Sequence, residues 1–151
     1  MYLIFSDIAT ARLLPSHPQA IGVTGAAWLP GNIALFSMNV VPSLLRSPTE
    51  TNLPMTTLAK QWREIYETGK HQNPPVAAIT AASFVLSRPA PYIRAGFYAS
   101  AALLTLGIVP FTLVAMSSTN NALIADWVVL NRVRSLLPLL GSLTGIAVAL
   151  L

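Results

Sequence analysis

The chain has 151 residues, of which 54% are hydrophobic and only 9% charged, with a net charge of +4, two histidines and no cysteine. A soluble domain carries roughly 25% charged residues, so this composition leaves too little polar surface to cover a core and points to a membrane protein. Disulfides, thiolate catalysis, Cys-ligated zinc and iron–sulfur clusters are excluded, and His17 and His71 make no histidine metal centre unless carboxylates or a partner chain complete it.

Asp7 and Arg12 interrupt the first residues, which make no good signal peptide. The first apolar run, residues 20–45, is long enough to cross a hydrocarbon core of about 30 Å. Trp28, Asn32 and Asn39 share a face of it at i, i+4 and i+11. An asparagine in lipid needs a partner, so that face points into a bundle, as interhelical glue or as the lining of a substrate cavity. Residues 46–73 are the one long polar stretch. Within it, residues 56–68 read as a short amphipathic helix lying on or folding into the membrane surface. Trp62 and Tyr66 occupy one face at i, i+4, and Arg63 and Glu67 form a second such pair. Gly69 is a natural C-cap, with Pro74 and Pro75 just beyond. His71 follows in the loop beside Lys70 and brings the side chain type best suited to proton transfer near neutral pH.

The second run, residues 74–87, is short. It spans only if Tyr92, Arg88 and the 70–73 flank sit at the interfaces or the bilayer thins. Pro89 and Pro91 make residues 88–94 a tight turn flanked by Arg88 and Arg94. The third run covers residues 96–116 and the fourth 131–151, with Pro110 and Pro138 as mid-span kinks. Gly141 and Gly145 form a GxxxG motif, which serves close packing inside one bundle or a homodimer face.

Between these last runs lies a polar block. Trp127, Asn131 and Arg134 fall at i, i+4 and i+7, one face of a single helix. Asn120 and Asn121 precede it, as cavity lining or as caps. Asp126 either favours the helix start through its dipole, pairs with Arg132 or Arg134, or acts as a functional carboxylate. Arg134 is the deepest cation, snorkelling or holding an anionic or phenolate oxygen. The predicted architecture is all-α: one domain, residues 1–151, forming an integral membrane four-helix bundle with a short amphipathic helix in its first loop. Arg46, Lys60, Arg63, Lys70, Arg132 and Arg134 fall on one side of such a bundle, against Arg12, Arg88 and Arg94 on the other. The first side is then cytoplasmic. The singly scattered basic residues suit membrane flanks, not nucleic acid.

No G-x-S-x-G, H-E-x-x-H, G-x-G-x-x-G or Walker sequence is present. Four pieces are, however, similar to the fungal anthrone oxidase family of small membrane proteins. They are Asn39-Val-Val-Pro42; residues 61–70 (QWREIYETGK) followed by Pro74-Pro75; residues 118–123 (STNNAL); and Trp127 with Asn131-Arg132-Val133-Arg134 and Leu136-Leu137-Pro138. In order and spacing they cover most of the chain from about residue 20. The resemblance implies a membrane-bound oxygenase that converts a polyketide-derived anthrone to an anthraquinone with O₂ and no cofactor. Its partners would be membrane lipid and a flat aromatic substrate, with an intracellular setting such as the endoplasmic reticulum. Such chemistry needs a flat apolar slot, a base, and a donor or cation for the enolate oxygen. Trp62, Tyr66 and Trp127 are candidates for the walls, with Trp28 and Asn32 contributing. His71 or Asp126 is the candidate base, and Arg134 with Asn131 or Asn121 would hold the oxygen. Two other readings keep the bundle: an epoxide hydrolase or cyclase of a secondary-metabolite pathway with Asp126 as acid, and a non-catalytic membrane scaffold or carrier.

Overall fold

The structure, a computed structural model, describes residues 16–87, 92–116 and 125–150, without the side chains of residues 92, 93, 125 and 126. The chain is all-α, and no strand occurs among the described residues. In order it forms α1 (His17–Leu35), a π-helical turn (Phe36–Val40), α2 (Val41–Thr51), α3 (Met55–Leu86), α4 (Tyr92–Leu106), α5 (Ile108–Val114) and α6 (Ala125–Leu150). The segments stack end to end into four rods: α1 with α2, α3, α4 with α5, and α6. Around the bundle α6 packs on α1 and α4, and α3 packs on the same two helices from the other side, so the rods form a closed ring.

Three stretches are long and apolar enough to cross a membrane: His17–Thr51, Arg94–Val114 and Trp127–Leu150. The protein is membrane-associated by this criterion. The fourth rod, α3, runs 32 residues, about 48 Å at 1.5 Å per residue, and its first half holds most of its polar residues.

That continuity differs from the expectation of a loop helix capped at Gly69. The helix passes through Gly69, Pro74 and Pro75 without a break. The prolines lack N–H groups, which leaves the carbonyls of residues 70 and 71 without a backbone donor. Both residues are exposed, where water or headgroups can serve those carbonyls. Packing of Trp62, Asn73 and Ala77, all buried on one side of the rod, then outweighs the local stop signal.

In lipid the hydrophobic effect does little to join helices, so close packing and interhelical hydrogen bonds must hold the ring. At the end formed by the start of α1 and the end of α6, small residues do this around one aromatic ring. Phe84 is fully buried in the space that two glycines leave free. A Cβ on Gly22 would lie 2.9 Å from its ring, and one on Gly145 only 2.5 Å. Tyr98 stacks on Phe84 with centroids 6.1 Å apart, and its hydroxyl accepts a 2.7 Å hydrogen bond from Gln19 Nε2. Gln19 Oε1 in turn accepts from the Ser16 backbone N–H at 2.7 Å, half of a capping box that starts α1. A Cβ on Gly141 would meet the Ala101 carbonyl at 2.9 Å and Thr105 Oγ1 at 2.8 Å. The GxxxG motif is therefore filled by α3 and α4 of the same chain. The expectation that Gly141 and Gly145 could offer a homodimer face is corrected, because a second copy would have to displace Phe84 and α4.

At the other end the packing turns aromatic: Val41, Trp62, Met116 and Trp127 form one buried cluster, with Phe36 and Tyr66 against it. The π turn is what turns the first rod here. Val41 donates to the Phe36 carbonyl, five residues back. Pro42, having no N–H, cannot serve the Met38 carbonyl that an α-helix would pair with it. The extra residue in the repeat rotates everything after it by about 100°. On the face predicted to hold Trp28, Asn32 and Asn39, the turn parts Asn39 from the other two, which lie before it in α1. Asn32 is half-buried, whereas Trp28, 40% exposed, and Asn39 face outward.

Candidate functional site

The aromatic end holds a small, partly open cavity lined by the π turn, α3, α5 and α6. Trp62, Ile65, Tyr66, Gly69, Lys70 and Asn73 come from α3, Trp127 and Arg134 from α6, Phe36 from the π turn and Thr112 from α5. The helical repeat explains which α3 residues arrive. Taking Trp62 as origin and about 100° per residue, Tyr66, Gly69 and Asn73 all fall within about 40° of it. Trp127 and Arg134 are seven residues apart on α6 and so share a face in the same way.

The walls are aromatic. The indoles of Trp62 and Trp127 meet edge to face with centroids 4.6 Å apart and an interplanar angle of 86°. Tyr66 lies tilted beside Trp62 at 6.3 Å. Aromatic pairs in this geometry contribute about 0.5–1.5 kcal/mol beyond their burial. Asn73 fixes the floor: its Oδ1 accepts from Asn32 Nδ2 at 2.8 Å, joining α3 to α1. Asn131, fully buried, stands one turn along α6 and faces the first rod. Its Nδ2 donates to the Ile33 carbonyl and to Ser37 Oγ, both at 2.7 Å, so it locks the π turn to α6.

Arg134 is the polar centre of the wall. One Nη donates to Thr112 Oγ1 at 3.0 Å, and the Thr112 hydroxyl donates to the Ile108 carbonyl at 2.6 Å. Its Nε is buried without a partner, as are the Nε1 atoms of Trp62 and Trp127. No Asp or Glu among the described residues pairs with Arg134 or lines the cavity. The other cation there, Lys70, is half-exposed and pairs with Glu67 at 3.4 Å. A largely apolar cavity with a guanidinium held by Thr112 and no counter-ion among the described residues suits a flat aromatic ligand that carries, or develops, negative charge on oxygen. Among the described residues no three of His, Asp or Glu come together as a metal site.

The sequence-predicted residues divide clearly. Trp62, Tyr66, Trp127 and Arg134 meet at the cavity, and Asn32 and Asn131 support it from behind. Trp28 does not line it. His71 does not either: its ring is 80% exposed and lies 3.7 Å from Glu67 on the outer face of α3. Nine residues from Trp62, it points about 180° away from the cavity face. Asp126 belongs to the first turn of α6, beside Trp127, but its carboxylate lies outside the described residues, as does all of Asn121. Phe36, Ile65, Lys70, Asn73 and Thr112 were not foreseen. The α3 members were available from the helical repeat once the helix is carried past Gly69. Thr112 had no signal that separates it from other small polar residues in an apolar run.

The chain is similar in sequence to known proteins. The family model for anthrone oxygenase matches residues 62–144, a stretch that contains both tryptophans, Asn73, Thr112 and Arg134. An anthrone oxygenase of Aspergillus fumigatus is 30% identical, over 87% of this chain and 92% of its own length. An anthrone oxygenase of Claviceps purpurea is 29% identical, over 87% of each. A noranthrone monooxygenase of Aspergillus flavus is 26% identical, over 93% of this chain and 77% of its own. No solved structure matches the chain.

Proposed function

The chain belongs to the anthrone oxygenase family, and on that premise we propose that it oxidises a polyketide-derived anthrone to the anthraquinone with O₂ inside the cavity between α3, α5 and α6. The observation that carries this reading is Arg134, a guanidinium set in an aromatic wall with no carboxylate partner among the described residues. An anthrone has a methylene flanked by two aromatic rings and opposite a ring ketone. Loss of one methylene proton moves charge onto the ketone oxygen and gives a flat, electron-rich enolate. Arg134 holds that oxygen, which lowers the cost of ionisation, while Trp62, Tyr66, Trp127 and Phe36 sandwich the rings and keep water out.

The enolate then passes one electron to O₂, and the resulting radical pair combines at the former methylene carbon to a hydroperoxide. Loss of the remaining hydrogen on that carbon as a proton, with cleavage of the O–O bond, gives the second carbonyl and one water. One O₂ is consumed per quinone. Asp126 is proposed as the proton acceptor, since it precedes Trp127 at the start of α6, whereas Glu64 and Glu67, next to Ile65 and Tyr66, do not line the cavity. In this reading all four rods cross the bilayer, and the first turns of α3 stand beyond the hydrocarbon at the cavity mouth, in an intracellular membrane such as the endoplasmic reticulum.

Membranes carrying the protein and a hydroxylated anthrone form quinone absorbance under air and none under argon if this is right. Equal rates in membranes lacking the chain contradict it. Asp126→Asn is expected to lower the rate about 10²-fold, the scale of a lost general base, whereas His71→Ala leaves it unchanged. The reverse pattern moves the base to the outer face of α3.

A further inference from the structure

The two indole N–H groups need an explanation that the ring-stacking role does not give. Trp62 and Trp127 are 5% and 3% exposed, and both Nε1 atoms are buried without an acceptor. Buried donors are nearly always satisfied, and one left alone marks strain, an unseen water or a ligand. Edge-to-face contact at 4.6 Å lets one indole edge lie against the other ring, so it accounts for one N–H at most. Two acceptors at the wall are engaged, since Asn73 Oδ1 receives Asn32 and Thr112 Oγ1 receives Arg134. The one buried side-chain acceptor without a donor among the described residues, Asn131 Oδ1, belongs to a residue that faces the first rod and does not line the cavity. With Arg134 Nε, three unpartnered donors belong to residues lining one cavity, which no described carboxylate lines.

From this excess of donors we propose that Trp62 and Trp127 are positioning residues that bind through N–H as well as through their rings. Together with Arg134 they form a donor cluster for a ligand edge bearing several neighbouring oxygens, in the substrate the ketone oxygen and hydroxyls beside it. The edge carrying the oxygens then lies against α6, and the methylene is turned the other way, toward the rest of the cavity. This rests on the oxygenase reading for the identity of the substrate, but not for the presence of the donors.

The test compares two planar probes of equal ring size, 1,8-dihydroxyanthraquinone and unsubstituted anthraquinone, binding to the purified protein in lipid nanodiscs. The unmodified protein is expected to bind the dihydroxy compound about tenfold more tightly. Trp62→Phe and Trp127→Phe each shrink that ratio toward one. A loss of packing alone weakens both probes together and leaves the ratio unchanged, which overturns the proposal. Should either variant fail to fold, the indole N–H vibrational band of the unmodified protein decides. It shifts on adding the dihydroxy compound if the donors engage oxygen, and an unshifted band overturns the proposal. Turnover of 1,8-dihydroxyanthrone, measured alongside, separates the two ideas. Preferential binding without turnover keeps the donor cluster and removes the oxygenase reading. Turnover with no preference in binding does the reverse.

Discussion

Arg134→Met is expected to lower kcat/KM for the anthrone by about 10²–10³-fold, the cost of removing one preorganised donor to a developing oxyanion. Methionine keeps much of the side-chain volume, so the aromatic wall stays in place and the loss reports the charge and its N–H groups. Arg134→Lys retains the charge but loses the planar fork that reaches Thr112 at 3.0 Å, and a partial loss of about tenfold is expected. Thr112→Val removes only the hydroxyl that orients the guanidinium. Its effect is smaller again and falls on the same step. Steady-state rates for the three variants in matched membranes check this order. A rate for Arg134→Met within a factor of two of the parent removes Arg134 from the chemistry.

The second large effect is structural and lies at the opposite end of the bundle. Gly145→Ala brings a Cβ to within 2.5 Å of the Phe84 ring, closer than real contacts allow. Either α6 moves off α3 or the ring leaves the slot it shares with Gly22. Overpacking of this kind costs about 1–3 kcal/mol, and Gly145→Leu is expected to abolish the folded protein. Phe84→Leu in the same chain is expected to recover part of the Gly145→Ala loss, because the two residues compete for one space. Thermal unfolding in detergent of the two single variants and the double variant measures that coupling. Strict additivity contradicts the notch described for Phe84.

Much of this arrangement was legible in the sequence, because its strongest signals are physical. Scarce charge and uninterrupted apolar runs determine an all-helical membrane bundle. The spacing of Trp62 with Tyr66, and of Trp127 with Arg134, puts the aromatic pairs and the cation on two helix faces that meet at one mouth. What escaped depends on how local signals compete with packing. Gly69, Pro74 and Pro75 read as the end of a helix, yet α3 continues through them. That continuation brings Asn73 to the cavity and turns His71 outward. The π turn at Phe36–Val40 arises from Pro42 together with the hold of Asn131 on Ile33 and Ser37, a contact across 98 residues of sequence in the first case. No local pattern announces it, and it is what leaves Asn39 on the outside. Gly141 and Gly145 were correctly read as a close-packing motif, but only the structure shows Phe84 and α4 as the groups they admit.

The most direct measurement is mass analysis of the quinone formed by purified protein from a hydroxylated anthrone under ¹⁸O₂ in unlabelled water. The mechanism above transfers one oxygen atom to the former methylene carbon and releases the other as water. The account therefore predicts a quinone carrying one heavy atom at that carbonyl, formed in the parent protein and nearly absent with Arg134→Met. Unlabelled quinone, or labelled quinone formed equally fast with Arg134→Met, would contradict it.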